Sequence, residues 1–129
     1  MNPLSIIVMP HRLAICRLGP RDELPASLHE ASFWSATRTE EELSLIIPQD
    51  FVPPQCRCER GWRALKVAGP LDLALTGVLK AIADPLAHAG ISLFALSTYD
   101  TDYVLVREKD LETACAVLAK AGQRVEGYV

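Results

Sequence analysis

Apolar and polar positions in the second half of the chain predict a strand, a helix and another strand. Residues 62–67 form a β-prone run that ends at Gly69-Pro70, and residues 91–96 have the pattern of a buried strand. Between these runs the large apolar side chains recur at spacings of three and four, as on one face of a helix: Leu75, Val78, Leu79, Ile82 and Leu86. Gly90 is placed to end this helix, which we expect to begin near Leu71 with Asp72 in its first turn.

A returning strand, a second helix and a last strand follow. A turn rich in Thr and Asp at residues 98–101 leads into the apolar run 103–106. Residues 108–110 open the second helix, Gly122 stops it, and the segment 124–128 is long enough for a strand. The order β-α-β-β-α-β predicts an α+β, ferredoxin-like fold, in which both helices cover one face of an antiparallel sheet.

The first half is shorter and less regular. Residues 5–9 and 13–17 predict one strand pair, residues 33–37 and 43–47 predict another, and only a short helix fits near residues 24–31.

A local pattern repeats between the halves. The strand–Gly-Pro-x-Asp–helix pattern at residues 19–22 recurs at residues 69–72, which indicates a duplication with an eroded first copy. We therefore expect two tandem modules, an irregular one at residues 1–60 and a complete one at residues 61–129.

Composition narrows the function classes. The 129 residues are 50% hydrophobic and 22% charged, enough apolar material for a folded core, and the net charge is -3. With no basic block, we expect neither nucleic acid nor membranes as partners. The N-terminal segment lacks the basic region of a signal peptide, and the apolar runs are far shorter than the roughly 20 residues of a membrane span. We expect a cytoplasmic protein.

Candidate chemistry is sparse. Cys56-Arg57-Cys58 is a C-x-C pair without a second pair or a histidine at zinc-finger spacing, so free thiols are favoured over a zinc site. The sequence carries no P-loop, no G-x-G-x-x-G fingerprint and no G-x-S-x-G elbow. We therefore predict no metal, no cofactor and no catalytic residue, and we do not expect an enzyme.

Several segments resemble one family. GWRALKVAGP at residues 61–70, TGVL at 76–79, ISLFALSTYDTDY at 91–103 and TRTEEELS at 37–44 are similar to the ACT-domain proteins of the CASTOR type. The resemblance extends from about residue 5 to residue 118. It implies tandem ACT modules that bind a small ligand, usually an amino acid, where two modules pair. It also implies a regulatory or sensor protein that forms a homodimer.

The same resemblance implies a set of ligand-binding residues in three groups. They are Gly69 and Asp72 before the first helix, Ser92 and Leu93 at the second strand, and Thr98, Tyr99, Thr101 and Asp102 at the turn and return strand. Their chemistry suits an amino acid, because backbone N–H groups bind a carboxylate and Asp side chains accept from an ammonium or guanidinium group.

Each of these assignments has a structural alternative. Asp72 is equally explained as a carboxylate that favours the start of a helix. On sequence grounds alone, Gly69-Pro70 is better explained as a break between strand and helix. Asp102 has the alternative of a turn residue. For the whole chain, the alternative is an interaction or oligomerisation module without a ligand, since ferredoxin-like sheets expose edges that join other sheets.

Overall fold

The computed structural model describes residues 3–71 and 76–127. They divide into two compact units, one of residues 11–62 and one that combines residues 1–10 with 63–129. The strands are β1 (Ser5–Val8), β2 (Leu13–Leu18), β3 (Ser35–Arg38), β4 (Leu43–Pro48), β5 (Arg57–Val67), β6 (Leu93–Ser97), β7 (Asp102–Arg107) and β8 (Arg124–Gly127), and the helices are α1 (Val78–His88) and α2 (Leu111–Lys120). No helix within the described ranges has the length and apolar character needed to cross a membrane.

The unit of residues 11–62 contains strands and short 3-10 helices. Strand β4 pairs antiparallel with β3 and β2, and β2 also pairs with the first half of β5. The helix expected near residues 24–31 is a single 3-10 helix at Ala26–Glu30. Buried side chains from β2, β4 and this helix form a separate apolar cluster: Ala14, Cys16, Leu28, Leu43, Leu45 and Ile47.

The unit of residues 1–10 and 63–129 has the predicted strands and both predicted helices. Strand β7 pairs with β6 and β5, β5 pairs antiparallel with β1, and β1 pairs parallel with β8. The two helices pack through Val78, Ile82, Leu86, Leu111, Ala114 and Leu118 onto an apolar cluster that includes side chains of β5 and β7. This sheet with two helices has the α+β, ferredoxin-like arrangement predicted from the sequence.

Strand β1 lies in a different place from the one expected. The sequence analysis assigned residues 1–60 to the first module and paired residues 5–9 with 13–17. In the structure β1 lies between β5 and β8, with Ile6 opposite both Val67 and Val125. Ile6 and Val8 are fully buried in the cluster under the helices, and this burial stabilises β1 there rather than beside β2.

The start of the first helix also differs from the expectation. Helix α1 begins at Val78, after Gly77 with φ 80°, and no acidic residue lies in its first turn. Asp72 and Leu75 lie outside the described residues. The expected position of Asp72 therefore stays a prediction, and Asp72 stays a candidate from the sequence alone.

Candidate functional site

A small cavity lies where the segment after β5 meets the turn between β6 and β7. Its volume is about 200 Å³. The lining residues are Lys66, Gly69, Pro70, Thr98, Asp100, Thr101 and Tyr103. Three of the predicted site residues, Gly69, Thr98 and Thr101, are therefore brought together.

Gly69 allows two backbone segments to approach each other closely. A Cβ at this position would lie 3.1 Å from the carbonyl oxygen of Asp100 and 3.2 Å from the Cβ of Thr101. The N–H of Leu71 donates to the same Asp100 oxygen at 2.7 Å. Glycine at position 69 therefore has a structural role that needs no ligand, because it allows the segment after β5 to pack against the β6–β7 turn.

The two threonines hold this turn together. The Thr101 side chain is buried, and its hydroxyl donates to the carbonyl oxygen of Val67 at 2.5 Å. The Thr98 hydroxyl donates to the carbonyl oxygen of Thr101 at 3.2 Å and accepts from its N–H at 3.3 Å. These hydrogen bonds hold the β6–β7 turn, which forms one wall of the cavity, in place without a ligand.

We expect Thr101→Val to lower the free energy of unfolding by about 1–3 kcal/mol, because the buried Val67 oxygen loses its hydroxyl donor. Thr101→Ser keeps a hydroxyl and is the matched control, with a smaller loss. Chemical denaturation of both variants measures the difference. A larger loss in Thr101→Ser than in Thr101→Val would show that the methyl packing of Thr101 matters more than its hydrogen bond.

Asp102 is half-buried on the other face of the sheet. Successive side chains of a strand point to opposite faces, so Asp102 shares its face with Val104 and Val106, which pack under the helices. Its Oδ1 accepts from the hydroxyl of Ser97, its register partner on β6, at 2.6 Å. Asp102 is therefore held in place at the end of the β6–β7 pair, and it does not line the cavity.

The remaining described candidates lie at or near the two ends of β6. Tyr99 at the turn is 82% exposed, which leaves its ring accessible. Ser92 and Leu93 lie at the opposite end of the strand. With about 3.3 Å per residue, Leu93 is about 13 Å from Ser97, so the structure does not bring Ser92 and Leu93 to the turn.

The sequence analysis missed four residues that line the cavity. Pro70, Asp100 and Tyr103 border the turn, and Lys66 reaches the cavity from β5. Leu65 and Val67 face the apolar cluster, so the alternation places Lys66 on the opposite face. A lysine between the two apolar residues Leu65 and Val67 was the available signal. Lys66 and Asp100 together give the cavity one cation and one anion.

A larger cavity lies in the unit of residues 11–62. Its volume is about 550 Å³, and its walls include Phe51, Val52 and three prolines beside the carboxylates of Asp22, Glu23 and Asp50. None of the predicted site residues lines it. In the part of the chain that the structure describes, no group of three or more His, Cys, Asp or Glu side chains is arranged to hold a metal ion.

Family models match both parts of the chain. A model of the ACT domain matches residues 57–120, and a model of an N-terminal domain matches residues 11–55. The cytosolic arginine sensor for mTORC1 subunit 1 of Bos taurus is 33% identical over an alignment of 99 positions that covers 68% of this chain and 30% of that protein. Its human counterpart is 32% identical over the same shares. The chain thus spans about 30% of the length of these relatives.

Solved structures show the same fold. A crystal structure of a protein from Agobacterium tumefaciens has a TM-score of 0.91 and 32% identity, covering 100% of this chain and 96% of that chain. The regulatory subunit of aspartate kinase from Thermus thermophilus has a TM-score of 0.65 at 10% identity, covering 92% and 98%. These likenesses confirm the fold predicted from the sequence. The chain therefore belongs to the ACT-domain proteins.

Proposed function

We propose that the protein is a regulatory protein that binds an amino acid where the ACT units of two copies meet. The observation that carries this proposal is the position of the candidate residues at the two ends of β6. Ser92 and Leu93 lie at one end, and the turn with Thr98, Tyr99 and Asp102 lies at the other. A second copy that pairs with this strand in the antiparallel direction would bring the two groups together.

Strand β6 has an edge for such pairing. Among the described strands it pairs with β7 alone. Phe94 is 36% exposed and Ala95 is also exposed, and neither carries a charge of the kind that protects sheet edges from pairing. A two-fold axis at Ala95 would place Leu93 of one copy opposite Ser97 of the other, because opposite residues run in reverse order in an antiparallel ladder.

The side chains at this place suit the cationic group of an amino acid. The Asp102 carboxylate is available to accept from an ammonium or guanidinium group, in a charge-assisted hydrogen bond that is stronger than a neutral one. Tyr99 offers an exposed ring to an aliphatic or cationic side chain. The arginine sensors, which are similar over 68% of this chain, support an amino acid as the ligand class.

A thermal-shift panel of the twenty amino acids tests the ligand. At a concentration a hundredfold above its dissociation constant, the ligand adds about 2.7 kcal/mol to the free energy of unfolding. For a chain of this size the melting temperature should rise by about 5 °C or more. If no amino acid at millimolar concentration moves the melting temperature, the interaction module without a ligand becomes the better explanation.

Light scattering tests the pairing of two copies. At micromolar concentration with the best ligand of the panel, we expect about twice 14.1 kDa. Phe94→Lys adds a charge at the β6 edge and should shift the protein towards the monomer. Leu24→Lys, at a residue that is 42% exposed in the unit of residues 11–62, is the control and should leave the dimer intact. A wild-type monomer under all conditions contradicts the proposed pairing.

A further inference from the structure

Three cysteines of the unit of residues 11–62 lie together on one face of the β2–β5 ladder. Cys16 of β2 and Cys58 of β5 are register partners, so their side chains point to the same face. Cys56 is two residues before Cys58 and packs against the same apolar cluster. The sequence analysis noted the C-x-C pair, but its spacing gave no sign that Cys16 lies beside it.

The three thiols interact directly. The Cys16 side chain is 2% exposed, whereas Cys56 and Cys58 are half-buried. Burial, together with the neighbouring thiols of Cys56 and Cys58 and hydrogen bonds to them, raises the pKa of Cys16 to about 12. Cys16 is therefore a protonated thiol at neutral pH, and Cys56 and Cys58 are the more accessible sulfurs of the cluster.

The register favours one pair for a disulfide. Directly opposite residues of an antiparallel pair have Cα atoms about 4.5–5.5 Å apart, inside the range of about 4.4–6.8 Å that disulfides require. Cys56 is two residues along the chain from Cys58, and two residues of extended backbone separate Cα atoms by about 6.6 Å, at the upper end of that range. Cys56 lies just before β5, so the ladder does not place it directly opposite Cys16.

We propose that Cys16 and Cys58 form a reversible disulfide when the protein meets a small-molecule disulfide such as oxidised glutathione. The Cys58 thiolate attacks one sulfur of oxidised glutathione, and one glutathione leaves as a thiolate and takes up the proton that Cys58 lost. The Cys16 sulfur then gives up its proton and attacks the Cys58 sulfur, which releases the second glutathione. Two protein thiols are oxidised by two electrons, and oxidised glutathione is reduced to two thiols.

This order of steps follows from burial. The half-buried Cys58 meets the oxidant, and the buried Cys16 meets only its neighbours. Because the second step needs the thiolate of Cys16, its rate should rise with pH over the range from 7 to 9. The closed disulfide would link β2 to β5 across residues 16–58 and should raise the melting temperature by several degrees, since it restricts the unfolded chain.

Oxidation with glutathione disulfide, followed by alkylation and mass mapping of non-reduced peptides, tests the proposal. In the wild type, two of the four cysteines should lose their reactivity, and one peptide should link Cys16 to Cys58. Dithiothreitol should restore all four thiols. Cys56→Ser should keep the link, and so should Cys115→Ser, a control in the other unit.

Cys58→Ser removes the entry thiol and should abolish any link from Cys16. Circular dichroism of this variant checks that it is folded, and Cys16→Ala with a glutathione adduct retained on Cys58 gives a second, independent test of the order of steps. A link between Cys56 and Cys58, a bond between two chains, or four reactive thiols after oxidation of the wild type would overturn the proposal.

Discussion

Replacing Leu86 by alanine is expected to lower the free energy of unfolding by about 2–5 kcal/mol. Leu86 is fully buried on α1, in the cluster that joins the helices to β5, β1 and β7. Truncation removes apolar contacts and leaves a cavity that the surrounding side chains fill only in part. Its carbonyl oxygen also accepts from the N–H of Ile91 at 2.9 Å, and this bond is untouched by the substitution.

Leu79→Ala is a matched control, because it removes the same atoms from the same helix. Leu79 is 36% exposed, so much less apolar area returns to water on unfolding. We expect a loss of about 1 kcal/mol or less. Urea titrations of the two variants and the wild type measure both values. Losses of similar size would show that the cluster under α1 tolerates truncation, contrary to its burial.

The core of the unit with both helices could largely be predicted from the sequence. The spacing of three and four placed Val78, Ile82 and Leu86 on one face of a helix, and all three are buried. Leu79, included in the same pattern, is exposed because apolar spacing alone does not define the edge of a helix face. This pattern could be predicted because it lies within a single helix, whose geometry determines which side chains share a face.

The position of β1 could not be predicted in the same way. A short apolar run can pair with many different strands. Because β1 is next to β2 in the sequence, these two strands were expected to pair. Its place between β5 and β8 depends on the register of Ile6 with Val67 and Val125, residues far away along the chain. At the other partner, a Cβ on Gly127 would lie 2.5 Å from the carbonyl oxygen of Val8, a close approach that only glycine allows.

The sequence indicated which segments form the candidate site, but not the face of the sheet on which each residue lies. The turn of residues 98–101 and the segment with Gly69, which the resemblance to the family placed in one site, both line the small cavity. Thr101, however, has a structural role, since its hydroxyl donates a hydrogen bond to the Val67 carbonyl oxygen. Lys66 and Tyr103 were missed because the resemblance to the family does not specify which side of the sheet each residue faces.

We expect Asp102→Asn to weaken binding of the best amino acid of the panel by about 1.5–3 kcal/mol, the scale of a hydrogen bond to a charged group. This equals roughly a ten- to hundredfold loss of affinity. The asparagine retains a side-chain oxygen that can accept from the Ser97 hydroxyl, so the fold without ligand should keep its melting temperature within about 1–2 °C. Isothermal titration calorimetry measures the affinity.

Asp100→Asn locates the ligand, because Asp100 lies on the same turn but lines the cavity with Lys66. If the ligand is bound between two copies at the face of Asp102, Asp100→Asn should change its affinity less than threefold, a change of about 0.6 kcal/mol. A loss in Asp100→Asn with unchanged binding in Asp102→Asn would place the amino acid in the cavity on the opposite face. Unchanged binding in both variants would make each aspartate a turn residue, and an unfolded Asp102→Asn would make its bond to Ser97 a structural one. The two variants therefore distinguish between binding sites on the two faces of the sheet. The distinction is needed because a carboxylate on either face could accept a hydrogen bond from the same ammonium group.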